Sequence, residues 1–156
     1  MLLTATAGET HPYACRMRFE ATIDVAAASE RVFDVYTDVE HWPDWTESVT
    51  SVERLDQGQL RVGSRARIRQ PRLPVAEWEV TDFLPGQSFT WVARGPGIIT
   101  TGRHLIIPTG REGHVTVTAS LDQTGPLGPL IGLLTKRLTD RYLQTEVRGL
   151  KARCEV

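Results

Sequence analysis

The sequence predicts an α+β domain in which an antiparallel sheet of about seven strands is covered by one long C-terminal helix. Three observations predict it: a strand with period-two alternation beginning near Arg16, six further strand-length segments separated mostly by Gly- or Pro-bearing turns, and a closing helical stretch with no glycine between Gly132 and Gly149. The 156 residues are 40% apolar and 24% charged, with a net charge of −1, the composition of one ordinary globular domain.

Taken in order, residues 1–15 show no periodicity and read as a flexible arm, leaving 16–156 as the single structured domain. Met17, Phe19, Ala21, Ile23 and Val25 alternate with Arg18, Glu20, Thr22 and Asp24, as in a strand with one wet face. Ser29 is a good helix N-cap, and Val32, Phe33 and Tyr36 follow at helical spacing until Asp38. Pro43 limits the next segment to about one helical turn, so Trp42-Pro43-Asp44-Trp45 reads as a tight aromatic corner. Strand-length segments then fall near 47–55, 61–70, 75–83, 87–94, 98–107 and 112–121, an antiparallel meander. Gly125-Pro126-Leu127-Gly128-Pro129 delays the last helix, which runs to about Lys151. On it Leu127, Leu130, Ile131, Leu134, Leu138, Arg141, Tyr142 and Thr145 form one stripe, apolar at its start and polar at its end. Such a helix buries its first half against the sheet and leaves its second half beside something polar or empty.

This order of strand, two short helices, meander and long helix resembles the helix-grip fold of the START/Bet v 1-like (SRPBCC) superfamily over about residues 16–155. It looks most similar to the bacterial polyketide cyclase/dehydrase-like branch, through Trp42-Pro43-Asp44-Trp45, the run from Trp78 to Gly86 and the Gly125-Pro126-Leu127-Gly128 lead-in to the last helix. The resemblance implies a curved sheet wrapped around the helix and a deep pocket for lipids, sterols, hormones or polyketide intermediates, in carriers and cyclases alike.

Where the ligand would sit depends on strand register. A four-residue loop at 83–86 pairs Asp82 with Gln87, Val80 with Phe89 and Trp78 with Trp91, putting both tryptophans on one face. A four-residue loop at 108–111 sets His104 opposite Val115 and Gly102 opposite Val117, so His104 points inward. The Gly95-Pro96-Gly97 turn decides whether His104 shares the face of Trp91, since a three-residue loop without a bulge turns it away. Trp78 and Trp91 are then either plain core or an aromatic wall for a flat ligand. His104 is either a core histidine satisfied by a backbone group or by Tyr142, or a ligand contact and acid/base. Arg141 and Tyr142 are expected on the inward stripe, where they could hold a carboxylate or enolate, Arg141 otherwise snorkelling to solvent at the pocket rim. The expected ligand-binding set is Trp42, Trp78, Phe89, Trp91, His104, Leu134, Leu138, Arg141 and Tyr142, with His104, Arg141 and Tyr142 catalytic if the protein is an enzyme. His41 and the tryptophan corner suit a lid over the pocket mouth or an anchor for the corner.

The leading expectation is a carrier or sensor for a hydrophobic or amphipathic small molecule, whether lipid, polyketide or aromatic. The competing one is an enzyme of polyketide cyclase/dehydratase type, and a third is a dimerisation module built on Leu143, Val147 and Leu150 at the back of the last helix. The assembly is expected to be a monomer or homodimer. No cofactor and no metal are expected, because GxSxG, P-loop, HExxH and dinucleotide motifs are missing. Arg61, Arg65, Arg67, Arg69 and Arg72 lack interleaved aromatics and read as a wet strand face, so no nucleic-acid partner is expected. No apolar run reaches the length of a membrane span, no secretory signal is visible, and a cytoplasmic location follows as the expectation. Cys15 and Cys154 fit neither a disulfide scaffold nor a zinc site.

Overall fold

The computed structural model describes residues 16–156; the expected arm over 1–15, and Cys15 with it, lies outside the described residues. Seven strands form: β1 Met17–Val25, β2 Ser51–Arg54, β3 Arg65–Arg69, β4 Ala76–Leu84, β5 Ser88–Gly95, β6 Ile98–Pro108 and β7 Val115–Thr124. They make one curved antiparallel sheet in the order β1-β7-β6-β5-β4-β3-β2. Between β1 and β2 the chain crosses from one edge to the other through helix α1 (Ser29–Thr37) and a 3₁₀ segment (Val39–Asp44). Helix α2 (Gly128–Cys154) then packs on β1 and β7. This is the helix-grip arrangement.

The alternation in the sequence is what selects the inner face. Phe19, Ala21 and Val25 of β1 are buried beside Val115, Val117 and Ala119 of β7, and Val80, Phe89, Trp91 and Ile106 continue the layer. Outward positions carry paired charges: Arg67 reaches Glu53 at 3.2 Å and Glu77 at 3.9 Å, and Arg65 also pairs with Glu77. The arginine-rich strand is therefore a laced outer face.

Three hairpins differ in register from the expectation, and in each the inward set survives. Leu84 pairs with Ser88 across a three-residue loop, a bulge at Thr81 absorbs the offset, and Trp78 lies opposite Ala93 while Trp91 lies opposite Val80. Gly95 pairs with Ile98 across a two-residue turn, with Gly97 at φ 72°, a conformation glycine adopts without a Cβ penalty. Pro108 pairs with Val115, which sets His104 opposite Ala119 and Gly102 opposite Leu121. Relative to the expected pairing this is an even-numbered slip, so His104 stays inward. Ser29 opens α1 as its first residue; Ala28 occupies the N-cap and no side chain caps the helix.

The phase of α2 is a larger correction. Leu143, Val147 and Leu150, expected on its back, are buried in the core, which removes them as an exposed dimerisation surface. Leu134 is instead 76% exposed and Arg141 is exposed, while Leu138 is half-buried. At about 100° per residue, the nine positions from Leu134 to Leu143 amount to about a half-turn, so a phase taken from the early leucines points the later residues the wrong way. Among the described residues no helix is long and apolar enough to cross a membrane.

Candidate functional site

Between the sheet and α2 lies a cavity of about 700 Å³. Its size is in the range of small-molecule sites, and its wall is mostly apolar. Trp42, Ile68, Trp78, Trp91, His104, Leu143 and Glu146 supply buried wall, whereas Pro74, Val75, Arg94, Gly95 and Pro96 line its exposed part.

The tryptophans meet because three elements converge. The 3₁₀ segment delivers Trp42, whose indole N–H donates to the Tyr36 carbonyl at 2.9 Å and so fixes the corner. Trp91 sits 5.3 Å from Trp42 and 5.5 Å from Trp78, centroid to centroid. Gly102 lets Trp91 lie close to β6, since a Cβ there would stand 3.0 Å from the indole. Trp42 is thus an anchored wall. His41, exposed and paired with Asp38 at 2.8 Å, does not line the cavity.

His104 is buried to 6% exposure and stacks on Phe89 with centroids 4.1 Å apart and planes 14° apart. Its Nδ1 lies 3.2 Å from the Phe89 carbonyl, an acceptor only, so Nδ1 carries the proton and Nε2 keeps its lone pair. Burial among Tyr36, Trp42, Phe89 and Trp91 pushes its pKa down to about 3, and the ring is neutral. Tyr142 is not its partner. That phenol lines the cavity but donates to the Pro71 carbonyl, tying α2 to the loop between β3 and β4. Phe89 backs His104 without lining the cavity; Leu134, Leu138 and Arg141 do not line it either.

One residue of the site was missed in the sequence. Glu146, on α2, is 8% exposed and lines the cavity. The Tyr36 hydroxyl donates to its Oε1 at 2.5 Å, and His104 Nε2 lies 3.7 Å from the same oxygen, beyond hydrogen-bond reach. Desolvation raises the Glu146 pKa to about 7 although the Tyr36 hydrogen bond works against it, and burial also pushes the Tyr36 phenol well above its ordinary value. The signal was an acid set between Leu143, Val147 and Leu150 on one helical stripe, legible once those residues are taken as the buried face. Arg94 is the single guanidinium among the lining residues, and it belongs to the exposed part of the wall.

A family described as polyketide cyclase/dehydrase and lipid transport matches residues 16–155. No curated protein matches. Among solved structures, a START superfamily protein from Mycobacterium smegmatis is 20% identical with a TM-score of 0.71, covering 88% of this chain and 97% of its own. The Zhui aromatase/cyclase from Streptomyces sp. R1128 is 17% identical with a TM-score of 0.67, covering 89% and 96%. Norcoclaurine synthase from Thalictrum flavum, in complex with dopamine and hydroxybenzaldehyde, is 14% identical with a TM-score of 0.70, covering 98% and 94%. At these identities the structures share the fold.

Proposed function

The chain belongs to the polyketide cyclase/dehydrase and lipid transport family, and on that premise we propose that it holds a hydrophobic or amphipathic small molecule, of lipid, polyketide or aromatic kind, between the sheet and α2. The observation that carries this reading is the cavity of about 700 Å³ with Trp42, Trp78 and Trp91 in its wall. Tryptophan faces suit flat or apolar ligands, and a cavity left open beside them is volume that close packing would otherwise fill. Native mass spectrometry of protein purified from its own host, set against a denatured sample, tests it. A co-purifying lipid, polyketide or aromatic mass supports the reading. An empty protein whose tryptophan fluorescence is also unmoved by apolar aromatic probes overturns it.

One observation favours a second, enzymatic reading. Glu146 is poised to hold or release a proton near neutrality beside His104, the property a general acid/base needs in aldol cyclisation or dehydration. On this reading Glu146→Gln leaves ligand affinity within a few fold and cuts turnover of a poly-β-ketone by about 10²–10⁴. Unchanged turnover, or none in the unmodified protein, removes the enzymatic reading and leaves binding.

A further inference from the structure

We propose that Glu146 and His104 form a polar anchor for a hydroxyl group, so that the cavity selects neutral alcohols or phenols with an apolar aromatic body over anionic amphiphiles. The inference rests on the binding reading above and names its ligand class.

Gln123 Oε1 is one polar atom of the buried wall without a hydrogen-bond partner among the described residues, and His104 and Glu146 each supply another. His104 commits Nδ1–H to the Phe89 carbonyl, leaving Nε2 as an acceptor. Glu146 accepts the Tyr36 hydroxyl on Oε1, leaving Oε2 as a donor while the acid keeps its proton. Both residues line the cavity and both are more than nine-tenths buried. A hydroxyl meets both needs at once, its proton going to Nε2 and its oxygen accepting from Oε2–H. A carbonyl satisfies only Glu146. A carboxylate finds no countercharge there, because the lining guanidinium, Arg94, stands in the exposed part of the wall. An ammonium needs the ionised form of Glu146, so its pH dependence is opposite to that of a hydroxyl.

The titratable groups that face Glu146 are Tyr36 from α1 and His104 from β6; Tyr142, on its own helix, has its hydroxyl engaged by Pro71. Across neutrality burial keeps the first two neutral, so Glu146 is the group that titrates. A hydroxyl ligand therefore binds best below about pH 7 and loosens as the acid ionises.

Four probes of one shape test this by tryptophan quenching and calorimetry: naphthol, methylnaphthalene, naphthoate and naphthylmethylamine. Naphthol is expected to bind about tenfold more tightly than methylnaphthalene, the worth of one well-formed buried hydrogen-bond set, with naphthoate the weakest. Glu146→Gln, which keeps a donor on that side chain, is expected to retain the naphthol preference and lose its pH dependence. Glu146→Leu is expected to lose the preference while still binding methylnaphthalene. Equal binding of naphthol and methylnaphthalene overturns the anchor and leaves the cavity reading standing. So does a preference for the amine that grows with pH. Binding of none of the four overturns the cavity reading itself.

Discussion

The two halves of α2 use leucine in opposite ways. In the first half Leu130, Leu133 and Leu134 face solvent, and the side of the helix toward the sheet carries Ile131, Thr135 and Thr139, which line the cavity. In the second half Leu143, Val147 and Leu150 are buried against the sheet and α1. Over its first half the helix turns Ile131, Thr135 and Thr139 to the cavity, with Gly132 close against Met17 and Gln123. Over its second, Leu143 and Glu146 still border the cavity while Val147 and Leu150 clamp the core. A leucine stripe therefore marks a buried face only where something lies opposite to be packed against.

The contrast predicts where truncation hurts most. Leu150 is fully buried in the cluster that holds Val32, Tyr36, Trp42 and Cys154, so Leu150→Ala is expected to cost about 2–5 kcal/mol in denaturant melts, cavity included. A cost under about 1 kcal/mol there would mean that the second half of α2 is not the clamp. Gly149, one residue earlier, is part of the same docking: a Cβ added to it would stand 2.0 Å from the Trp45 carbonyl oxygen.

Much of this was legible in the sequence, for reasons that are uneven. Strand faces are legible even where pairing is not, because alternation has a period of two and the hairpin offset at His104 is even. Trp78 and Trp91 share a face for the same reason, with the bulge at Thr81 taking up the odd residue. Helix phase has no such protection. Every residue turns the helix by about 100°, and leucines that face solvent rather than a core misplace everything that follows, Arg141 into the site and Glu146 out of it. The Tyr36–Glu146 contact joins residues 110 positions apart, and no local pattern announces it. Nothing in the sequence marks the Tyr142 hydroxyl as engaged, because its acceptor, the Pro71 carbonyl, is a backbone atom in a loop.

A medium-sized effect comes from the two buried titratable groups that face each other. Glu146 keeps its proton in the folded state to about pH 7, against an ordinary 4.5, so its contribution to stability is complete below 4.5 and is lost as pH rises through 7. His104 is neutral when folded down to about pH 3, against an ordinary 6.5, so its contribution is complete above 6.5 and is lost as pH falls through 3. Between 4.5 and 6.5 the two slopes oppose each other. Glu146→Gln should leave the His104 slope, with Tm rising with pH over that window, and His104→Gln should leave the Glu146 slope, with Tm falling. Parallel Tm profiles in the two variants would show that the pair is not titrating as described, and the second half of α2 would lose its chemical distinction from the first.

The smallest effect is expected at Leu134. It is 76% exposed and its truncation removes little buried area, while alanine is at least as good a helix former, so Leu134→Ala should change stability by no more than about 0.5 kcal/mol. Because its side chain also points away from the cavity, the same substitution should leave quenching by naphthol and methylnaphthalene unchanged. Ile131→Ala, three residues earlier on the lining side, should change the affinity of both probes with a similarly modest effect on stability, since that side chain is only half-buried. If Leu134→Ala altered probe binding and Ile131→Ala did not, the first half of α2 would be turned the other way, and its leucines would belong to the site.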